Sequence, residues 1–446
     1  GDRAYALLPQ IRNSVFERMK AVAPPLVILS PVAGATLAGA STVTWRAGAA
    51  ATQVSVTVDG QLRHTAAPGA SSWVWDTALE RNGPHTVRIT AATPYGQSSV
   101  AEAAVTVANP LPAGTLSAPP YSMGSGVTLT LSCANCAEMQ FSQGWRWESE
   151  GQFAAPGSGR TVADALAGNG QTWFGQAGQA NAGPWYGPYY CGLPAPGEYE
   201  AVFWLRGRAN DPASTLAELD VSDQAGLRIL AGPSPVRGAD LPSGRYEGVR
   251  LRFSYPNQGT SCRNANVRDG LELRTWYRAT GDLWLDRVEI FTAPQAVAPK
   301  RWMPLPEEGR HRVEVRFLDR GGNASPVYSQ TVTVDRTQPS WSAPDAAGLH
   351  VWDSLSGIDM GSTAVSLSDD GVHWSTWAPV TPSTSGDAAT LPAQPAWQGR
   401  AVRARARDRA GNVSQSAPVV WPPTPPGPGL PPEQVKSRTY CPLSSR

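Results

Sequence analysis

Val402-Arg403-Ala404-Arg405-Ala406 alternates apolar and charged residues, and the turn Asp408-Arg409-Ala410-Gly411-Asn412-Val413-Ser414 follows it directly. Strict alternation of this kind places one side-chain set on a core and the other in water, the signature of a half-buried strand. Asp and Asn side chains hydrogen-bond their own backbone in tight turns, and Gly supplies positive φ. The pair recurs upstream. Val313-Glu314-Val315-Arg316-Phe317 precedes Asp319-Arg320-Gly321-Gly322-Asn323-Ala324-Ser325. A strand and turn that repeat within one chain point to repeated supersecondary units.

Working outward, residues 338–421 carry further strands and turns around Asp369-Asp370-Gly371, Trp374 and Trp377. Residues 25–109 hold six or seven short period-2 segments, among them Leu26 to Leu29, Thr42 to Trp45, Val54 to Val58 and Thr86 to Ile89. Asp59-Gly60 between two of them signals a hairpin. So many short strands in so few residues describe an immunoglobulin-like sandwich. The Asp-x-x-Gly-Asn turn after an alternating strand resembles the bacterial immunoglobulin-like domains strung along secreted and surface proteins. That resemblance covers about half the chain.

Composition agrees. The 446 residues exceed a single core and predict three to five domains. The 44 Gly and 41 Pro suit short strands and tight turns. The 17 Trp outnumber Tyr and Phe, and suit both small sandwich cores and flat sugar platforms. With 37 basic and 36 acidic residues well mixed, the electrostatic footprint of nucleic-acid binding is missing. No apolar run approaches the ~20 residues that span a bilayer. The chain carries no signal peptide and begins at Gly1 rather than Met, which reads as a mature, trimmed product.

Residues 110–152 resemble the front of an immunoglobulin-like domain, whose back half arrives only at 296–337. The expectation is one domain split by an insert, a tolerated event at a loop tip. The insert, 153–295, has period-2 strands that suggest a jelly roll. It resembles the carbohydrate-binding modules that ride on secreted enzymes. The features are an opening strand Thr161-Val162-Ala163-Asp164-Ala165, a Pro196-Gly197-Glu198-Tyr199 hairpin into a long strand, and a closing strand bearing Asp286. The resemblance covers about a third of the chain. It implies a structural calcium joining the first and last strands, with Asp164 and Asp286 at the matching positions. This chain departs from the pattern in having one acid in the opening strand. For sugar, the candidates are Trp173, Trp185, Tyr186, Tyr189 and Tyr190, because loop aromatics set between Gly and Pro present flat faces. Packing of the 185–190 cluster against the sandwich is the competing reading. Trp204, Trp276 and Trp284 sit inside strand patterns and read as core.

The five Cys fit an oxidising compartment. Cys191 and Cys262 make the expected long-range pair. Cys133 and Cys136 read as a local disulfide, since a zinc site needs two further ligands and no second Cys-x-x-Cys or His-x-x-x-His exists. Cys441 could bond to a neighbour. The five His are scattered, and His85 and His311 hold equivalent places in Gly-x-His-x-Val strands. No catalytic motif is present.

The architecture expected is therefore all-β: several immunoglobulin-like β-sandwiches and one jelly-roll β-sandwich. A short N-terminal helix over 1–24 and a Pro-rich extended tail over 422–446 complete it. The expected function is a non-catalytic extracellular or cell-surface protein that binds glycan or cell-envelope material through the jelly roll. A structural subunit of an envelope assembly is the alternative, self-assembling through helix and tail. So is the accessory region of a secreted hydrolase.

Overall fold

The computed structural model describes residues 23–153, 157–241, 244–262, 269–385 and 387–422. The expected N-terminal helix, the Pro-rich tail and Cys441 lie outside the described residues. The chain divides into two compact units. One comprises residues 1–117, 130–301 and 313–330; the other comprises 118–129, 302–312 and 331–446. Both are built from antiparallel strands packed as sandwiches.

The first unit begins with an immunoglobulin-like sandwich. One sheet orders Leu26–Ser30, Ala40–Ala47 and Ser72–Asp76. The other orders Thr36–Leu37, Ser98–Val107, Gly83–Ala92, Gln53–Val58 and Gln61–Ala66. Alternation dictates the core: in Gln53–Val58 the residues Val54, Val56 and Val58 are buried and those between them are not. Trp45 and Trp75 fill the space between the sheets. The hairpin expected at Asp59-Gly60 is present. Both residues have positive φ, at 51° and 80°, which a two-residue turn matched to strand twist requires.

The jelly roll in the same unit has two sheets. The larger orders Arg160–Ala163, Gln171–Gly175, Asp282–Thr292, Gly197–Arg208 and Glu247–Tyr255, with Arg146–Glu148 also pairing to Asp282–Thr292. The smaller orders Gly183–Trp185, Leu271–Tyr277, Thr215–Asp223 and Arg228–Arg237, with Pro188–Tyr190 beside Leu271–Tyr277. Tyr199, Phe203, Leu205, Phe253, Leu273, Leu285 and Ile290 interdigitate between them. Trp145, Trp147 and Phe153 belong to this same core, so the chain enters the jelly roll before residue 153.

Strand Glu138–Ser142 does not pair with its sequence neighbours. Its antiparallel partner is Glu314–Leu318, far along the chain. In the second unit, Tyr121–Ser122 pairs in parallel with Thr333–Val334. The first sandwich has the same feature, where Thr36–Leu37 pairs in parallel with Thr106–Val107. The second unit also contains a sandwich whose sheets centre on Gly348–Trp352 with Ala388–Pro392 and on Ile358–Ser368 with Ala401–Asp408. Trp397, Trp421, Val402 and Ala404 occupy its core.

The repeated turn has a defined role. Asp319 accepts the backbone N–H and the side-chain amide of Asn323, at 2.8 Å each. Asp408 does the same for Asn412, at 2.9 and 2.7 Å. The amide then donates outward, from Asn323 to the Glu80 carbonyl at 3.1 Å and from Asn412 to the Asp335 carbonyl at 2.9 Å. The Asp fixes the Asn, and the Asn reaches across to a segment distant in sequence. Both expected disulfides form, Cys133 to Cys136 and Cys191 to Cys262. His85 and His311 also match: each sets Nε2 on the carbonyl four residues earlier, Arg81 at 2.7 Å and Glu307 at 2.9 Å.

Candidate functional site

The long strand Gly197–Arg208 sets up the site. Tyr199, Ala201, Phe203 and Leu205 turn inward, so parity sends Glu200, Val202, Trp204 and Arg206 to the opposite face. Trp204 pairs with Gly248 on the neighbouring strand, and its indole is half-buried. Its Nε1 donates to Glu289 at 2.8 Å, and the Arg287 guanidinium lies over its ring at 4.5 Å. Trp284 stands on the same face. It stacks on Phe174 at 4.6 Å, and Arg206 covers it at 4.1 Å.

Trp204 lines a cleft of about 670 Å³. One wall is the jelly-roll sheet, with Arg146, Arg250 and Arg287. The others come from the first sandwich, through Arg81 and Asn82, and from the turn following Arg316. Beneath the cleft Glu200 is 2% exposed. It accepts from Arg316 at 3.0 Å and from the Gln140 amide at 3.2 Å, and has Arg252 at 3.6 Å and Arg250 at 3.8 Å. Burial, reinforced by Arg250, pushes the Arg316 guanidinium down to about 10. Arg250 is lowered by burial too, with Arg81 and Arg252 adding repulsion.

The aromatic candidates read from the sequence sit elsewhere. Trp185 is 0% exposed, stacks on Tyr277 at 5.2 Å and donates its Nε1 to Ser158, so no face is available to a sugar. The reason is that Gly183–Trp185 is a strand rather than a loop, and its inward position carries the indole. Tyr190 meets Trp147 edge-on at 4.9 Å, and burial pushes its phenol up to about 12. Trp173 packs on the core with Nε1 on the Ser158 carbonyl at 3.2 Å. Tyr186 and Tyr189 are half-buried and meet edge-on at 6.3 Å. The reading of Trp204, Trp276 and Trp284 as core is corrected in the same way. All three are half-buried on outward faces, and Trp276 donates to Asp220 at 2.8 Å under Arg274. Counting parity from Tyr199 and Phe203 would have found Trp204.

The two carboxylates matched to calcium each have an arginine partner. Asp164 accepts from Arg206 at 2.6 Å and from the Tyr246 hydroxyl at 2.7 Å. Asp286 pairs with Arg287 and accepts the Gly168 N–H at 3.1 Å. Among the described residues, one set of three carboxylates lies within 4.8 Å, Asp335, Asp353 and Asp408 in the second unit. Their oxygens accept backbone N–H groups: Thr337 and Ser356 on Asp335, Ser356 and Gly357 on Asp353, Gly411 and Asn412 on Asp408. Sequence reading missed this trio because its members come from three separate turns.

Residues 24–89 match the family model of the bacterial Ig domain. No curated protein matches the sequence. Similar solved structures include fibronectin(III)-like modules of Clostridium thermocellum CbhA, at 16% identity, covering 19% of this chain and 93% of that one, TM-score 0.16. A Bacteroides ovatus protein, SGBP-B of a mixed-linkage glucan utilization locus, is 12% identical over 88% of this chain and 69% of its own, TM-score 0.17. A structure of carbohydrate-binding modules from the β-sandwich superfamily is 10% identical over 63% of this chain and 98% of its own, TM-score 0.16.

Proposed function

We propose that this chain is a non-catalytic, extracellular glycan-binding protein whose binding face is the outward side of the larger jelly-roll sheet. The observation that carries the reading is Trp204. It is a half-buried indole beside Gly248, held in orientation by Glu289 and set in a cleft lined by arginines. Aromatic faces stack on the apolar faces of sugar rings, and a small number of fixed polar groups orient the ligand. The two disulfides support an oxidising, extracellular setting.

The test is affinity electrophoresis of the full chain through gels containing single polysaccharides. Retardation by at least one polymer, lost in Trp204→Ala while the melting temperature holds, is the expected result. A wild-type chain retarded by none would overturn the reading.

We further propose that residues 110–152 and 296–337 form one immunoglobulin-like domain interrupted by the jelly roll, with the stretch from Trp145 onward packing on the jelly roll. The pairing of Glu138–Ser142 with Glu314–Leu318 supports it. So does the parallel pairing of Tyr121–Ser122 with Thr333–Val334, which repeats the arrangement in the first sandwich. Limited proteolysis that released 110–150 as a stable folded piece would rule it out. The alternative of a self-assembling structural subunit draws on the terminal segments. Electron microscopy of a 422–446 deletion tests the tail's share in it.

A further inference from the structure

The cleft holds an unusual distribution of charge. Three guanidiniums, those of Arg250, Arg252 and Arg316, gather around the single carboxylate of Glu200, and Arg81 adds a further positive charge beside Arg250. The nearest other carboxylates are already engaged: Glu289 with Arg287 and the Trp204 indole, Glu247 with Arg245 at 3.4 Å. Arg81 is exposed at the rim and has no carboxylate partner among the described residues. The Arg316 side chain is 4% exposed, pinned by Gln140 at 2.9 Å and lying over the Phe291 ring at 3.8 Å.

Positive charge held out of water without matching negative charge is costly. Arg250 and Arg316, whose side chains are 17% and 4% exposed, share the one carboxylate of Glu200. Guanidiniums present rigid forks that fit carboxylate or sulfate oxygens in pairs. Low-dielectric walls strengthen the attraction between those forks and an anion entering the cleft.

We infer that the cleft takes an acidic polysaccharide, with Arg81 and Arg250 engaging its anionic groups while Trp204 meets a sugar ring. The site is composite. Arg81 comes from the first sandwich, Trp204 and Arg250 from the jelly roll, and Arg316 from the strand that pairs with Glu138–Ser142. The inference rests on the glycan-binding reading and narrows it to a ligand class. The anion can be a uronate carboxylate or a sulfate ester, each of which can offer two oxygens to one guanidinium edge.

The experiment uses the full chain and titration calorimetry with polygalacturonate, dextran sulfate and neutral dextran. Polygalacturonate separates carboxylate from sulfate, and neutral dextran controls for the backbone of its sulfated form. At least one acidic polymer should bind about tenfold or more tightly than neutral dextran at low salt. That preference should collapse between about 50 mM and about 500 mM NaCl. Arg81→Glu should weaken acidic binding about tenfold or more without moving the melting temperature, since Arg81 is exposed. Arg88→Glu, an exposed change of equal charge far from the cleft, should not weaken it. Equal affinity for neutral and acidic polymers, or equal loss in Arg81→Glu and Arg88→Glu, would overturn the acidic class and leave glycan binding standing. No binding to any polymer, these three or those of the gel panel, would remove both.

Discussion

Trp185 and Trp204 are both indoles on jelly-roll strands, and strand parity separates their roles. Trp185 points inward, fully enclosed, with its ring on Tyr277. Trp204 points outward beside Gly248. Deleting a buried aromatic removes its transfer free energy and leaves a cavity, so Trp185→Ala is expected to cost about 3–5 kcal/mol in urea unfolding. Trp204→Ala should change stability by about 1 kcal/mol or less while removing polysaccharide retardation. If the two variants lost stability equally, the assignment of faces would be wrong. The flanking residues in sequence misled the reading of this pair. Gly and Pro around Trp185 resemble a loop, whereas the residues around Trp204 resemble a continuous core strand.

At the scale of elements, the repeated turn was legible and its partner was not. Sequence showed that Asp and Asn would close the turn at 319–325 and at 408–414. It could not show that the Asn amide would reach Glu80 in one copy and Asp335 in the other. In Asn323→Ala, the Glu80 carbonyl loses its donor and the Asn82 N–H loses the acceptor it meets at 2.6 Å. Buried groups left unpaired cost about 1–3 kcal/mol, and a lowered urea midpoint is the readout. The long disulfide offers a second check. Cys191 and Cys262 are 71 positions apart. Removing the bridge by Cys191→Ser with Cys262→Ser frees a loop whose closure entropy corresponds to about 4 kcal/mol. The loop closed by Cys133 and Cys136 is far shorter, so its loss should cost much less. A smaller effect at 191–262 than at 133–136 would contradict this account.

For the molecule as a whole, charge placement decides what pH does. Burial, together with the facing carboxylates of Asp353 and Asp408, raises the Asp335 carboxyl above its usual range. The native state then holds that proton more tightly than the unfolded chain does. Stability falls as pH rises from the ordinary Asp value, about 3.9, through the raised one, and the penalty is complete at neutral pH. Asp345 and Asp370 behave oppositely, held below the usual range chiefly by the adjacent His350 imidazole and by the hydrogen bond with His373. Their contribution is present above about pH 4 and is lost on further acidification. Urea unfolding of the full chain, followed between about pH 7 and pH 4, should show a transition that strengthens on mild acidification. Asp335→Asn should flatten that rise. A rise of the same size in Asp335→Asn would assign it to another group.

Alternation, turn chemistry and repetition determined, from the sequence alone, that this is an all-β chain of immunoglobulin-like and jelly-roll sandwiches with two disulfides. Those are local properties: period-2 patterning places a residue on one of two faces, and Gly, Asp and Asn fix a turn wherever they stand. Which face meets water was decided only by tertiary structure, because parity has no sign until a second sheet covers one side. The same holds for the cleft. Arg81, Arg250 and Arg316 are remote in sequence, and each reads alone as an ordinary solvated charge. Arg250 and Arg316 meet at Glu200, with Arg81 beside Arg250, only because strand Glu138–Ser142 takes its partner from beyond the jelly roll, bringing the turn at 319–325 against Glu80.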